Sequence, residues 1–174
     1  MKINAVNFLP SHIDWYGSNS AESLNIDLSL RIGQLLTQSI TENGCASIAV
    51  SGGRSPIGLF EELSKLNLDW SKVELTLVDE RWVDAKHEDS NELLVRKHLI
   101  KNKATQIKFF PIKNSTNSAK EGQILYEQVL QQIKLPFDVI VLGMGSDGHT
   151  ASLFPCCKEL SQAMDPDNQQ KCIV

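Results

Sequence analysis

Cys45-Ala-Ser-Ile-Ala-Val-Ser-Gly-Gly-Arg-Ser-Pro56 decides the fold. Cys45 to Val50 is a short apolar run, suited to a buried strand. Ser51 to Pro56 is a Gly-rich loop, and Pro suits the first turn of a helix. Ser55 is the expected N-cap of that helix, which should run to about Leu66. Upstream, Ser20 to Asn43 carries Leu24, Leu28, Ile32, Leu35, Leu36 and Ile40, one apolar stripe at helical spacing. Asn43-Gly44 supplies its C-cap chemistry. Downstream, Val73 to Val78 reads as a second buried strand. Asp89 or Ser90 can cap a helix from Asn91 to about Ile100. Ile107 to Phe110 reads as a short strand stopped by Pro111. Asn117 to Ile133 reads as a helix with Ile124, Leu125, Val129 and Ile133 on one face. Phe137 to Leu142, Phe-Asp-Val-Ile-Val-Leu, is a further strand whose apolar run suggests cover on both faces. Strands alternating with helices specify an α/β fold: a doubly wound, mostly parallel sheet with helices on both faces.

A length of 174 residues suits one domain, and no linker, repeat or low-complexity tract divides it. A hydrophobic content of 41% excludes a disordered chain. The net charge of −4 argues against a nucleic-acid partner, because such proteins carry a basic excess. No apolar run is long enough to span a bilayer, and Met1 to Pro10 lacks the apolar core of a secretory signal. Cys45, Cys156, Cys157 and Cys172 show no C-x-x-C pair, so reduced thiols and a cytoplasmic location are expected.

In parallel sheets, ligands bind beyond the carboxyl ends of the strands. Three strand ends carry unusual loops here: Ser51 to Pro56, Asp79 to Trp82, and Gly143 to His149. Parallel strands would open all three on one edge. In the first loop, Gly52 and Gly53 let the backbone approach an anion, and the following helix N-terminus favours a phosphate. The alternative is a plain tight turn. The Walker A ending is absent.

Gly143-x-Gly145-x-x-Gly148 matches the dinucleotide fingerprint in letters only. Pro155 arrives too soon for the long helix that fingerprint needs, and no strand ending in an acidic residue follows. His149, beside the expected start of a short helix, fits a general base, with Asp147 near enough to orient it. Backbone N–H groups around Gly145 to Gly148 could hold a developing oxyanion. An exposed loop histidine is the alternative for His149, and the preferred reading for His12, His87 and His98. Arg81 offers a planar fork of donors for a phosphate or carboxylate, which Asp79 and Glu80 could position. Those two could also touch sugar hydroxyls, or all three could form surface ion pairs. Trp82 reads as a packing residue. His149, Cys156 and Cys157 do not match zinc spacings, and there is no G-x-S-x-G elbow.

Taken together, Ser51-Gly-Gly-Arg-Ser-Pro56, Asp79-Glu-Arg-Trp-Val83 with Ser90-Asn91, and Leu142-Gly-Met-Gly-Ser-Asp-Gly-His-Thr-Ala-Ser-Leu-Phe-Pro155 resemble the 6-phosphogluconolactonases. That family lies in the sugar-phosphate isomerase and deaminase superfamily. Its glucosamine-6-phosphate deaminases typically carry Asp-Glu-Tyr in the second loop, and Asn-Gly-His then Phe-Asn-Glu-Pro in the third. This chain has Arg81, Asp147 and Leu153-Phe154-Pro155 instead. Ser55 replaces the usual Thr, and Cys156 a common Gly.

The resemblance implies a modified Rossmann-like fold. It also implies hydrolysis of 6-phospho-D-glucono-1,5-lactone to 6-phosphogluconate, a step of the oxidative pentose phosphate pathway. His149 would be the base, supported by Asp147. Ser51, Gly52, Gly53, Ser55, Asp79, Arg81 and Gly145 would contact substrate or phosphate. No cofactor, nucleic acid or membrane is implied, and the protein would be a monomer or homodimer. Family members continue with a further strand, an Arg-containing motif, a helix and a late Lys-containing segment. Residues 1–174 are therefore read as a single domain incomplete at its C-terminus, with Cys172-Ile173-Val174 starting a strand. The alternatives are a deaminase or isomerase of the same fold, and a non-catalytic sugar-phosphate-binding remnant.

Overall fold

Helix caps and two apolar strands set the frame. The computed structural model describes residues 13–174, so His12 and Met1 to Pro10 lie outside the described residues. The side chain of Ser20 accepts from the Ser23 N–H and starts α1, Ala21–Asn43, which stops where the Gly44 N–H donates to Ile40 O. Strand β1, Ala46–Val50, is buried throughout. It leads through the Gly-rich loop into α2, Ile57–Leu63. Strand β2, Val73–Leu77, precedes α3, Asn91–His98. Strand β3, Lys108–Phe110, and helix α4, Ala119–Leu130, follow. The chain continues with β4, Val139–Val141, and the four-residue α5, Leu160–Ala163.

The four strands form one parallel sheet in the order β3-β2-β1-β4. Val50 is level with both Leu77 and Val141, so the loops after β1, β2 and β4 leave from one edge. Period-two alternation sends Ala46, Ile48 and Val50 to one face, with Val73, Leu75 and Leu77 beside them. There they meet Ile32 and Leu36 of α1, Leu59, Phe60 and Leu63 of α2, and Val95 of α3. Burying a side chain such as Phe60 contributes about 1.5–3 kcal/mol. Thr76 points to the opposite face, where its hydroxyl lies 2.5 Å from the Tyr126 hydroxyl of α4. Tyr126, Leu130 and Ile133 form a second, smaller cluster there. Helices thus flank both faces, as the alternation of patterns predicts.

Several expectations need correction. The contact line of α1 runs through Asn25, Ser29, Ile32, Leu36 and Ser39; Asn25 packs on Gly58. Leu24 and Leu28 lie to one side of that line and are exposed. Helix α2 begins at Ile57 with Pro56 as N-cap, so Ser55 is not the cap, and turns follow from Ser64 instead of a helix to Leu66. On α4 the buried line is Gly122, Tyr126 and Leu130, leaving Ile124 and Leu125 exposed. The Trp82 ring dictates this: it stands where a Cβ of Gly122 would be.

Strand β4 is not covered on both faces. It is the sheet edge, and Ile140 and Leu142 are 53% and 55% exposed, because α4 crosses over β2 instead. Cys172 to Val174 is not a strand; Cys172 O accepts from Gln123 Nε2 of α4 at 2.6 Å. His98 is not an exposed loop histidine. It ends α3 and its Nδ1 lies 2.7 Å from Glu61 Oε1 of α2. His87 does lie exposed in a turn.

Candidate active site

The second loop is organised by Glu80. Its Oε1 accepts from the N–H groups of Asn91 at 2.8 Å and Arg81 at 2.7 Å. Its Oε2 accepts from the Glu92 N–H at 2.8 Å and the Ser90 hydroxyl at 3.1 Å. A carboxylate on the first N–H groups of a helix satisfies orphan donors and complements the helix dipole. Glu80 therefore caps α3, and both its oxygens are occupied by protein donors rather than open to sugar hydroxyls. Arg81 donates from Nη1 to Asp89 O at 2.6 Å, which pins the exposed side chain and leaves further donors of its fork free to reach an anion. Trp82 packs on Gly122, and the Lys113 ammonium lies 4.5 Å from its ring centre.

Asp79 sits between the other two loops. Asn91 Nδ2 donates to its backbone oxygen at 3.0 Å, and Ser152 Oγ donates to its Oδ2 at 2.8 Å. The Asn91 amide lies where a Cβ of Gly52 would be, so glycine is required there for the first loop to close on α3. Ser51 is 6% exposed and donates its N–H to Val141 O at 3.0 Å, joining the first loop to β4. Its hydroxyl lies against Gly143. Gly53, at φ +87, and Ser55 are exposed on the outer part of this loop.

The third loop holds the histidine. His149 Nδ1 lies 2.5 Å from Asp147 Oδ1, and that hydrogen bond holds the Asp147 carboxyl below the usual carboxylate range. An ionised Asp147 accepts from Nδ1–H, which leaves Nε2 as the basic nitrogen of a neutral ring. Phe154 packs on the imidazole, with ring centres 4.4 Å apart. The ring and the Asp147 carboxylate lie over Gly145, where a Cβ would overlap them.

The Gly145 N–H donates to His149 O at 2.8 Å, and the Gly148 N–H to Gly145 O at 3.0 Å. Those two groups close the loop and are not open oxyanion donors, and the bare Gly145 leaves clearance for the His149 ring. No helix begins beside His149. The chain turns back through Ala151, at φ 50, and Thr150 bridges to Leu153.

The structure thus brings together Ser51, Gly52, Asp79 and the Gly143 to Ser152 segment. Asn91 and Ser152 were quoted in the sequence motifs but not read as site residues. Their partners lie 12 and 73 positions away, beyond the reach of local patterns. A cavity of about 580 Å³ opens on the α4 face, reached by Asp79 and Ser152; its walls mix apolar groups such as Ile140 and Leu142 with polar ones such as Gln123 and Lys171. His149 is not in its lining. Among the described residues, no cluster of three His, Cys, Asp or Glu side chains could hold a metal ion, and no helix is long and apolar enough to cross a membrane.

Residues 19–174 match the family described as glucosamine-6-phosphate isomerases/6-phosphogluconolactonase. A 6-phosphogluconolactonase of Pseudomonas aeruginosa is 41% identical over 165 residues, which cover 95% of this chain and 69% of the relative. One from Rhizobium meliloti is 42% identical over 155 residues, covering 89% of this chain and 65% of the relative. The crystal structure of a 6-phosphogluconolactonase from Shewanella baltica superposes with a TM-score of 0.84 at 43% identity, covering 87% of this chain and 65% of that one. The chain spans about two thirds of the length of these relatives. A parallel sheet with three loops on one edge, the Asp147–His149 pair on the third of them, and these matches lead to one conclusion: the chain belongs to the 6-phosphogluconolactonase family.

Proposed function

We propose that the chain hydrolyses 6-phospho-D-glucono-1,5-lactone to 6-phosphogluconate. The observation that carries this reading is the Asp147–His149 pair, set on a strand-end loop beside a Gly-rich loop. Asp147 keeps the proton on Nδ1, so Nε2 takes a proton from water as the water attacks the lactone carbonyl. The carbonyl oxygen becomes a tetrahedral oxyanion, held by loop N–H groups other than those of Gly145 and Gly148 or by a nearby cation. Collapse of the intermediate breaks the bond to the ring oxygen, which receives the proton back from Nε2. The phosphate is assigned to Ser51, Gly52, Gly53 and Ser55, with Arg81 as its cation. No cofactor enters this scheme. The four cysteines are free, which suits a reducing cytoplasm, and the enzyme would act as a monomer or homodimer.

The test is the rate on freshly made lactone, corrected for spontaneous ring opening. General-base assistance is worth about 10²–10⁴-fold, so His149→Ala should lose that much in kcat. A His149→Ala protein as fast as the unmodified chain removes His149 from the mechanism.

A further inference from the structure

Asn91 is 2% exposed, and a buried amide needs partners. Its side chain plays no part in capping α3, because Ser90 and Glu80 do that. Instead Nδ2 donates to Asp79, to the backbone oxygen at 3.0 Å and toward Oδ1 at 3.4 Å, while the amide lies against Gly52. Asp79 Oδ2 in turn accepts from Ser152, three positions after His149. The segments that leave β1, β2 and β4 therefore meet on one amide–carboxylate pair.

We infer that Asn91 is a positioning residue for the lactone reaction: it fixes the Asp79 carboxylate, which through Ser152 fixes the turn that carries His149. This rests on the reading under Proposed function. Asn91 does not touch the reacting atoms, and its effect is on where His149 stands.

Two consequences separate this role from simple packing. Asn91→Asp keeps the shape of the side chain but turns a second carboxylate toward Asp79. Two adjacent carboxylates favour a shared proton, which restores the hydrogen bond in acid. The variant should therefore regain activity relative to the unmodified chain as pH falls. Gly52→Ala alone puts a methyl group on the Asn91 amide, whereas Asn91→Ala vacates that space. Adding Gly52→Ala to Asn91→Ala should then cost much less than adding it to the unmodified chain, a non-additivity expected of touching groups.

The experiment measures kcat and KM from acid to neutral pH for Asn91→Asp, Ser152→Ala, Asn91→Ala, Gly52→Ala and the Asn91→Ala, Gly52→Ala pair. The His149 imidazole resonances are followed by NMR in each. Misplacing a catalytic group by about 1 Å can cost about 100-fold, so kcat of Asn91→Asp and Ser152→Ala at neutral pH should fall about 10- to 100-fold. KM should change far less, the His149 resonances should shift, and Asn91→Asp should recover in acid. Should Asn91→Ala fail to fold, Asn91→Asp and Ser152→Ala decide the matter. A kcat within about twofold of the unmodified chain in both, with unmoved His149 resonances, overturns the inference; that change is smaller than the positioning effect above. If the unmodified chain does not open the lactone, the functional reading fails by itself. The NMR arm then still decides positioning: shifted resonances support it and unmoved ones overturn it.

Discussion

His149 Nδ1 and Asp147 Oδ1 stand 2.5 Å apart, two residues away from each other along a glycine-flanked turn. Short-range pairing of this kind fixes one ring nitrogen and frees the other. Asp147→Asn can present an amide hydrogen to Nδ1, which stabilises the tautomer with its proton on Nε2. That tautomer cannot accept a proton from water. We expect kcat of Asp147→Asn to fall at least about 10-fold, with KM little changed, since a wrong tautomer can cost far more. Steady-state kinetics on the lactone checks this.

Gly145→Ala tests clearance under the ring. A Cβ there would overlap the imidazole and approach the Asp147 carboxylate. The ring must move, and a loss of about 100-fold in kcat is the scale for a displaced catalytic group. Gly145 lies on a loop outside both apolar clusters, so the melting temperature should shift little. A scanning calorimetry trace beside the rate measurement separates the two effects.

Glu80→Ala addresses the fold instead. The substitution strips partners from the Asn91 and Glu92 N–H groups and from the Ser90 hydroxyl. Loss of a helix cap costs about 0.5–2 kcal/mol, and hydrogen bonds to a charged group lie at the upper end. Urea unfolding should show a lower midpoint with an unchanged slope. A midpoint equal to that of the unmodified protein contradicts the capping role.

Tyr126 predicts an alkaline signature. Burial pushes its hydroxyl from 10.0 to about 12, opposed in part by the hydrogen bond to Thr76. A folded-state value above the unfolded one means that the neutral phenol is favoured by folding. The associated stability is complete below pH 10 and is lost progressively as pH rises toward 12. Tyr126→Phe removes this titration. Its stability between those limits should decline less steeply than that of the unmodified chain, read from unfolding midpoints at a series of pH values.

Features that depend on neighbouring residues were legible in the sequence. The α1 start at Ser20, the α3 cap at Ser90 and the apolar run of β1 rest on side chain–backbone bonds and short periodicities. Features that depend on a distant partner were not. Which face of α4 turns inward follows from Trp82 standing over Gly122, forty positions away, and from Tyr126 finding Thr76. The exposure of Ile140 follows from β4 being the sheet edge, which no local apolar count reveals. In the site, Asp147 and His149 could be paired from their spacing. Glu80 could not be assigned to the helix from Asp-Glu-Arg alone, because its partners at the helix start begin ten positions later.

The uncovered margin of β4 governs how this chain behaves at high concentration. One side of that strand pairs with β1, and the other has no strand partner among the described residues. Ile140 and Leu142 lie exposed along the same segment. An unpaired row of backbone donors and acceptors beside apolar side chains is a template for strand addition by other molecules. For residues 1–174, self-association should thus begin along β4.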